Sequence, residues 1–162
     1  MLYIIAGGID EGKTQKMNAL YHEKKGDGFL SKKIFVDKDF VGYEIVRLSS
    51  GEKMPLAYKS EHVPGDWDEM YRFGPFSFSK KAFVFAERII DEIIKKGIEP
   101  VFIDEIGPLE LRGEGFCEIL NEVLNTGKDV YISVRSHCVE DVIEKFNIQR
   151  YVIKAAGKNK NC

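Results

Sequence analysis

Residues 7–14 read Gly7-Gly8-Ile9-Asp10-Glu11-Gly12-Lys13-Thr14 and satisfy G-x-x-x-x-G-K-[ST] at every fixed position. The chemistry of such a segment is phosphate binding. Glycines let the backbone curl until several N–H groups face one anion, and a helix starting near Lys13 adds its positive end. Lys13 would reach the β- and γ-phosphates of a nucleoside triphosphate, and the Thr14 hydroxyl would ligate Mg²⁺. The expected binding set is Gly7, Gly8, Ile9, Asp10, Glu11, Gly12, Lys13, Thr14 and Gln15. Two features are unusual. Asp10 and Glu11 bring negative side chains into a loop that must hold a polyanion. They are expected to point to solvent yet still oppose the nucleotide charge and weaken its binding. Gln15 stands where many such loops carry a second hydroxyl.

A second constellation is Val101-Phe102-Ile103-Asp104-Glu105, an apolar strand delivering two carboxylates at its C-terminal end. Ligands of open α/β sheets bind at that edge. Asp104 is expected to hold the Mg²⁺ through a water, and Glu105 to orient and deprotonate an attacking water. An adjacent Asp-Glu pair suits a hydrolase, whereas a kinase must exclude water. Asp104-x-x-Gly107 also fits the D-x-x-G element of GTPases. Asn159-Lys160-Asn161-Cys162, however, lacks the Asp of the guanine-reading N-K-x-D.

Phosphoryl transfer calls for a further cation near the γ-phosphate. Of six arginines, Arg135 follows the apolar run Val130 to Val134 and is expected at the same sheet edge, as the third catalytic residue with Lys13 and Glu105. Ser133 beside it is a candidate γ-phosphate sensor. Arg72 and Arg112 are weaker candidates, and Arg47, Arg88 and Arg150 read as solvated surface residues. His22, His62 and His137 have no metal spacing.

The elements that must position these groups follow from the apolar periodicity. Leu2 to Ala6 is a buried strand stopped by glycines, and a helix runs from about Lys13 to Lys25. Ile34 to Val36, Tyr43 to Leu48 and Leu56 to Tyr58 are short β-type runs separated by turn residues, so positions 29–60 form an antiparallel hairpin insertion. Ser60 to Phe78, with Trp67, Pro64, Gly65, Gly74 and Pro75, reads as irregular. Ser79 is expected to cap a helix whose apolar stripe is Phe83, Ala86, Ile89, Ile90, Ile93 and Ile94, stopped by Gly97. Phe116, Ile119, Leu120, Val123 and Leu124 mark another helix. Val130 to Val134 is a strand, Val139 to Phe146 a short helix, and Tyr151 to Ile153 a last strand. Strands alternating with helices predict an α/β fold with a mostly parallel sheet flanked by helices, in one domain over 1–162.

Composition narrows the function classes. The chain has 162 residues, 24 basic against 26 acidic, and a net charge of -2, so bulk charge gives no reason to bind nucleic acid or an anionic membrane. No apolar run approaches the ~20 residues of a membrane span, and the apolar start has no basic leader, so no signal peptide is expected. Cys117, Cys138 and Cys162 show no paired spacing and read as reduced thiols of a cytoplasmic protein.

The Gly7 to Thr14 loop, the string Asp104-Glu105-Ile106-Gly107-Pro108-Leu109-Glu110-Leu111 and the hairpin insertion together resemble one small P-loop family. Gly42-Tyr43-Glu44-Ile45-Val46 followed by Ser50-Gly51, and Phe116, match it further. It is the nucleoside-triphosphatase family first described from hyperthermophiles, with a cancer-related vertebrate member. The resemblance implies a RecA-like P-loop NTPase core and slow Mg²⁺-dependent hydrolysis of ATP, GTP and other NTPs with little base preference. Lys13, Thr14, Asp104 and Glu105 match its motif positions. The chain departs from it at Asp10 and Glu11, at Gln15, at Lys32-Lys33-Ile34, where the insertion opens, and in its tail, Lys158 to Cys162. The alternatives on these residues are a nucleotide or nucleoside kinase, for which the chain has few arginines and no Arg-rich lid, and a partner-controlled GTPase or ATPase switch. A protein partner is not specified by the sequence.

Overall fold

The computed structural model describes residues 1–157. The segment 158–162, with its Asn-Lys-Asn-Cys tail, lies outside the described residues. Among the described residues nine strands form one sheet in the order β5-β6-β4-β3-β2-β7-β8-β1-β9. Strands β1 (Leu2–Gly7), β7 (Val101–Ile106), β8 (Val130–Arg135) and β9 (Tyr151–Ala155) are parallel to one another, as is the first part of β2 (Asp27–Val36). The strand bearing the phosphate loop, β1, is separated from the acidic strand β7 by β8. Val101, Phe102 and Ile103 are fully buried, as an unbroken apolar run in the middle of a parallel sheet requires.

The insertion is antiparallel, as the turn residues indicate. It continues the main sheet instead of standing apart from it. Beyond Phe29, β2 leaves β7 and pairs with β3 (Asp39–Arg47), which pairs with β4 (Lys53–Lys59). Gly28 sits where β2 turns onto β7. Its φ is +147° and a Cβ there would collide with the Phe102 carbonyl oxygen, so glycine is required.

Two expectations fail here. The segment 60–78 is not wholly irregular, because β5 (Glu69–Phe73) and β6 (Phe76–Ser79) form a hairpin turned by Gly74-Pro75 that carries the antiparallel sheet further. Tyr71, Phe73, Phe76 and Phe78 pack against the core from this hairpin or stack beside it. Ser79 does not cap the helix α2 (Lys80–Lys95) with its own side chain. Asp68 does so, accepting the Lys81 N–H at 2.9 Å and the Ser79 hydroxyl at 2.6 Å.

Helix α1 (Lys13–Lys24) covers one face of the sheet over Ile5, Leu30, Phe102 and Tyr131, where Tyr131 stacks between Tyr3 and Phe102 with centroids 4.5 and 5.0 Å away. Helices α2, α4 (Cys117–Leu124) and α5 (Val139–Lys145) pack the larger core on the other face, using the predicted stripes. A single turn, α3 (Pro108–Leu111), follows β7.

Arg47 is also not a surface residue. Only 8% exposed, it donates to Asp27 Oδ2 from Nε at 3.0 Å and Nη2 at 2.9 Å, and to Glu92 at 2.6 Å. Asp27 further accepts Ser49 Oγ at 2.8 Å and the Gly28 N–H at 2.8 Å, so its buried charge is fully partnered. Arg88 and Arg150 are exposed, as expected.

Candidate active site

The phosphate loop joins β1 to α1, and the β1–β8 register sets Gly7 opposite Arg135 and Ile5 opposite Ser133. Both residues of β8 are thereby carried to the edge where the loop begins. Lys13 is 7% exposed and arches back over the loop, its Nζ donating to the Gly8 carbonyl at 2.7 Å and the Gly7 carbonyl at 3.3 Å. Asp10 points outward and forms a 2.6 Å ion pair with Lys33 of the insertion. Glu11 is exposed, as expected, yet it is not free. Its carboxylate folds back and accepts the Gly8 N–H at 2.6 Å, closing the loop on itself.

At the acidic strand end, Asp104 is 1% exposed and its two oxygens are taken by three segments. Oδ2 accepts the Thr14 hydroxyl at 2.8 Å and the Ser31 N–H at 3.0 Å, and Oδ1 accepts the Ser133 hydroxyl. Burial pushes its pKa up to about 6, opposed mainly by the Ser133 hydrogen bond, with the neighbouring Glu105 charge adding to the rise. Ser133 is therefore committed to Asp104 and is not placed as a free γ-phosphate sensor. The β7–β8 register is irregular between Ile103 and Ile106, at the two acids. Glu105 is left 34% exposed, and its Oε1 accepts the Arg135 Nε at 3.2 Å.

The loop from Ile9 onward, Glu105 and Arg135 share one cleft of about 900 Å³, while Asp104 and Ser133 lie buried behind its wall. It is lined by Ile9 through Thr14, Gln15, Lys16, Glu105 and Arg135, together with Ser31, Lys32, Lys33 and Tyr43 from the insertion. The sequence does not mark these insertion residues as site residues. Ser31 acts through its backbone N–H, which side-chain patterns do not record. Lys32-Lys33 did carry a signal, a basic pair opening the insertion. Arg72 and Arg112 do not reach the cleft: Arg72 binds the Ser60 hydroxyl and Glu69, and Arg112 pairs with Glu114 and lies over the Phe73 ring.

Among the described residues no group of three or more His, Cys, Asp and Glu could cage a metal. Thr14 Oγ and Asp104 Oδ2, two hard oxygen donors 2.8 Å apart, suit Mg²⁺, which takes few protein ligands and completes its shell with water and phosphate oxygens. No helix among the described residues is long and apolar enough to cross a membrane.

A phosphate loop on a parallel strand, with an Asp-Glu pair delivered to the same sheet edge from beyond an interposed strand, defines the P-loop NTPase class of α/β fold. Within it the chain belongs to the NTPase family, a family of nucleoside-triphosphatases, whose model matches residues 3–161. It is similar to nucleoside-triphosphatase THEP1 of Methanocaldococcus jannaschii, 26% identical over 98% of this chain and 92% of that one. THEP1 of Archaeoglobus fulgidus is 24% identical over 99% and 93%. Two solved structures share the fold. The crystal structure of THEP1 from Aquifex aeolicus superposes with a TM-score of 0.76 at 18% identity, over 99% of this chain and 92% of that one. The solution structure of a human cancer-related nucleoside triphosphatase gives 0.65 at 19% identity, over 99% and 89%.

Proposed function

We propose that the chain is a Mg²⁺-dependent nucleoside-triphosphatase that hydrolyses ATP, GTP and other NTPs to the diphosphate and phosphate, with water as the acceptor. The observation that supports this best is the position of Glu105. It follows the buried Asp104, lies partly exposed in the cleft of the phosphate loop, and is held by Arg135 at 3.2 Å.

Gly7 to Gln15 would bind the triphosphate, with Lys13 exchanging its carbonyl partners for phosphate oxygens. Glu105 orients a water and takes its proton as the water oxygen bonds to the γ-phosphorus and the diphosphate leaves. Arg135 holds the Glu105 carboxylate and offsets charge on the transferred group. Thr14 and Asp104 would hold Mg²⁺, which neutralises phosphate charge when bound. Asn18, Ala19, Ala156 and Gly157 line the cleft along α1 and the end of β9. The buried free thiols of Cys117 and Cys138 fit a cytoplasmic location.

Phosphate release from ATP, GTP, CTP and UTP with Mg²⁺, and without any acceptor, tests the reading. Comparable rates for the four are expected. Dependence on an added nucleoside or nucleotide acceptor would favour a kinase, and silence until a protein or nucleic acid is added would favour a switch.

A further inference from the structure

Glu110 is a buried carboxylate that the mechanism above leaves unused. It lies in α3 and is 4% exposed. Its Oε2 accepts the Gly107 N–H at 2.8 Å and its Oε1 the Phe116 N–H at 2.9 Å. Among the described residues it has no basic partner. Burial pushes its pKa up to about 7, against the pull of these amide donors, and the Glu105 charge adds a smaller push in the same direction. Burial raises the pKa of the neighbouring Cys117 thiol, and the Glu110 charge adds a smaller push in the same direction. A buried carboxylate without a cation costs stability unless its oxygens are hydrogen-bonded; both are, one of them with the N-cap amide of α3, and the pair of bonds has a task an apolar side chain cannot do.

The task is visible in what the two oxygens join. Gly107 lies just beyond Glu105 at the end of β7, and Phe116 opens α4. The Phe116 ring is buried against Phe29 and Phe83, with centroids 5.0 and 5.2 Å away, so that end of the tie is fixed in the core. Gly115, at φ +60°, completes the seat, because a Cβ there would collide with Glu110 Oε1. A glutamine has one acceptor oxygen for two donors and presents N–H to the other.

We propose that Glu110 is a positioning residue for hydrolysis, tying the end of β7 to the start of α4 and so fixing where Glu105 stands. The proposal rests on Glu105 being the group that activates water. A misplacement of about 1 Å is enough to cost on the order of 10²-fold in rate.

The test is Glu110→Gln alone and in a Glu105→Gln background, with folding checked by circular dichroism and Mg²⁺-nucleotide affinity measured beside kcat. The expected result is a fall in kcat of about 10- to 100-fold in the wild-type background, with affinity unchanged within about twofold. In the Glu105→Gln background the expected result is no further fall, since a residue acting through another is not additive with it. Glu110→Asp keeps the charge but is too short to span both amides. It should show the same kcat loss, and it serves if the glutamine variant does not fold. An unchanged kcat, an equal loss in both backgrounds, or affinity falling in step with kcat would overturn the proposal. Full turnover in Glu105→Gln alone would overturn the functional reading beneath it, whereas an inactive Glu105 variant beside an unaffected Glu110 variant overturns the positioning role only.

Discussion

Thr14 and Asp104, 90 positions apart in the chain, share a hydrogen bond of 2.8 Å. It ties the first turn of α1 to the end of β7 across the interposed strand β8, which adds the Ser133 hydroxyl to the same carboxylate. The insertion contributes the Ser31 N–H. The oxygen pair assigned to Mg²⁺ is thus held in place by the fold before any nucleotide enters, and such preorganisation favours tight, ordered binding.

Asp104→Asn tests that assignment. Asparagine keeps the size but loses the charge and one of the two acceptors. Phosphate release should fall on the order of 10²-fold, and the Mg²⁺ concentration giving half-maximal turnover should rise by at least about tenfold. A Mg²⁺ titration of turnover reads both, and an unmoved midpoint would contradict the role.

Arg135 faces the cleft while bound to Glu105. Replacing it with alanine removes a cation from the transition state and a restraint from Glu105. We expect kcat to drop on the order of 10² or more, with Mg²⁺-nucleotide affinity changed less than about tenfold. Rapid-mixing measurements of binding and phosphate release separate the two effects. A loss confined to affinity would make Arg135 a binding residue only.

The site was legible in the sequence where chemistry is local. Gly7 to Thr14 and Val101 to Glu105 each carry their pattern in a few consecutive residues, and a strand before the loop with a helix after it is a short-range signal. What was not legible depends on register and long-range approach. Ser133 meets Asp104, and Arg47 meets Asp27, only because of strand pairing, and a polar residue in isolation reads as exposed. The β5–β6 hairpin has a signal in the sequence, because Tyr71, Phe73, Phe76 and Phe78 repeat with period two on each side of Gly74-Pro75, but the breakers Pro64, Gly65, Gly74 and Pro75 outweigh that alternation when the residues are read alone. Glu11 is exposed, as its type predicts, but no sequence pattern tells that its carboxylate reaches back to the Gly8 N–H.

Neutralising Glu11 probes the acidic loop. In Glu11→Gln the side-chain carbonyl keeps an acceptor for the Gly8 N–H while the negative charge beside the triphosphate is gone. Nucleotide affinity should rise about three- to tenfold, the range expected of one partly screened charge. Asp10, already paired with Lys33 at 2.6 Å, should give a smaller gain as Asp10→Asn. Isothermal titration with Mg²⁺-nucleotide decides, and unchanged or weaker binding by Glu11→Gln would contradict the electrostatic argument.

The buried cluster around Arg47 predicts a large effect far from the chemistry. Arg47→Ala leaves Asp27, which is 1% exposed, as a buried charge without its cation, and frees Glu92. Such a removal costs about 3–5 kcal/mol. Denaturant unfolding should show a loss of that size, and a loss below about 1 kcal/mol would show that water replaces the arginine.

The central claim is that Glu105 activates the attacking water, and the most direct measurement is phosphate release by Glu105→Gln beside its Mg²⁺-nucleotide affinity. We expect affinity to stay within a few fold of wild type while turnover falls by at least ~100-fold, the low end for general-base catalysis. Turnover equal to wild type at equal affinity would contradict the account.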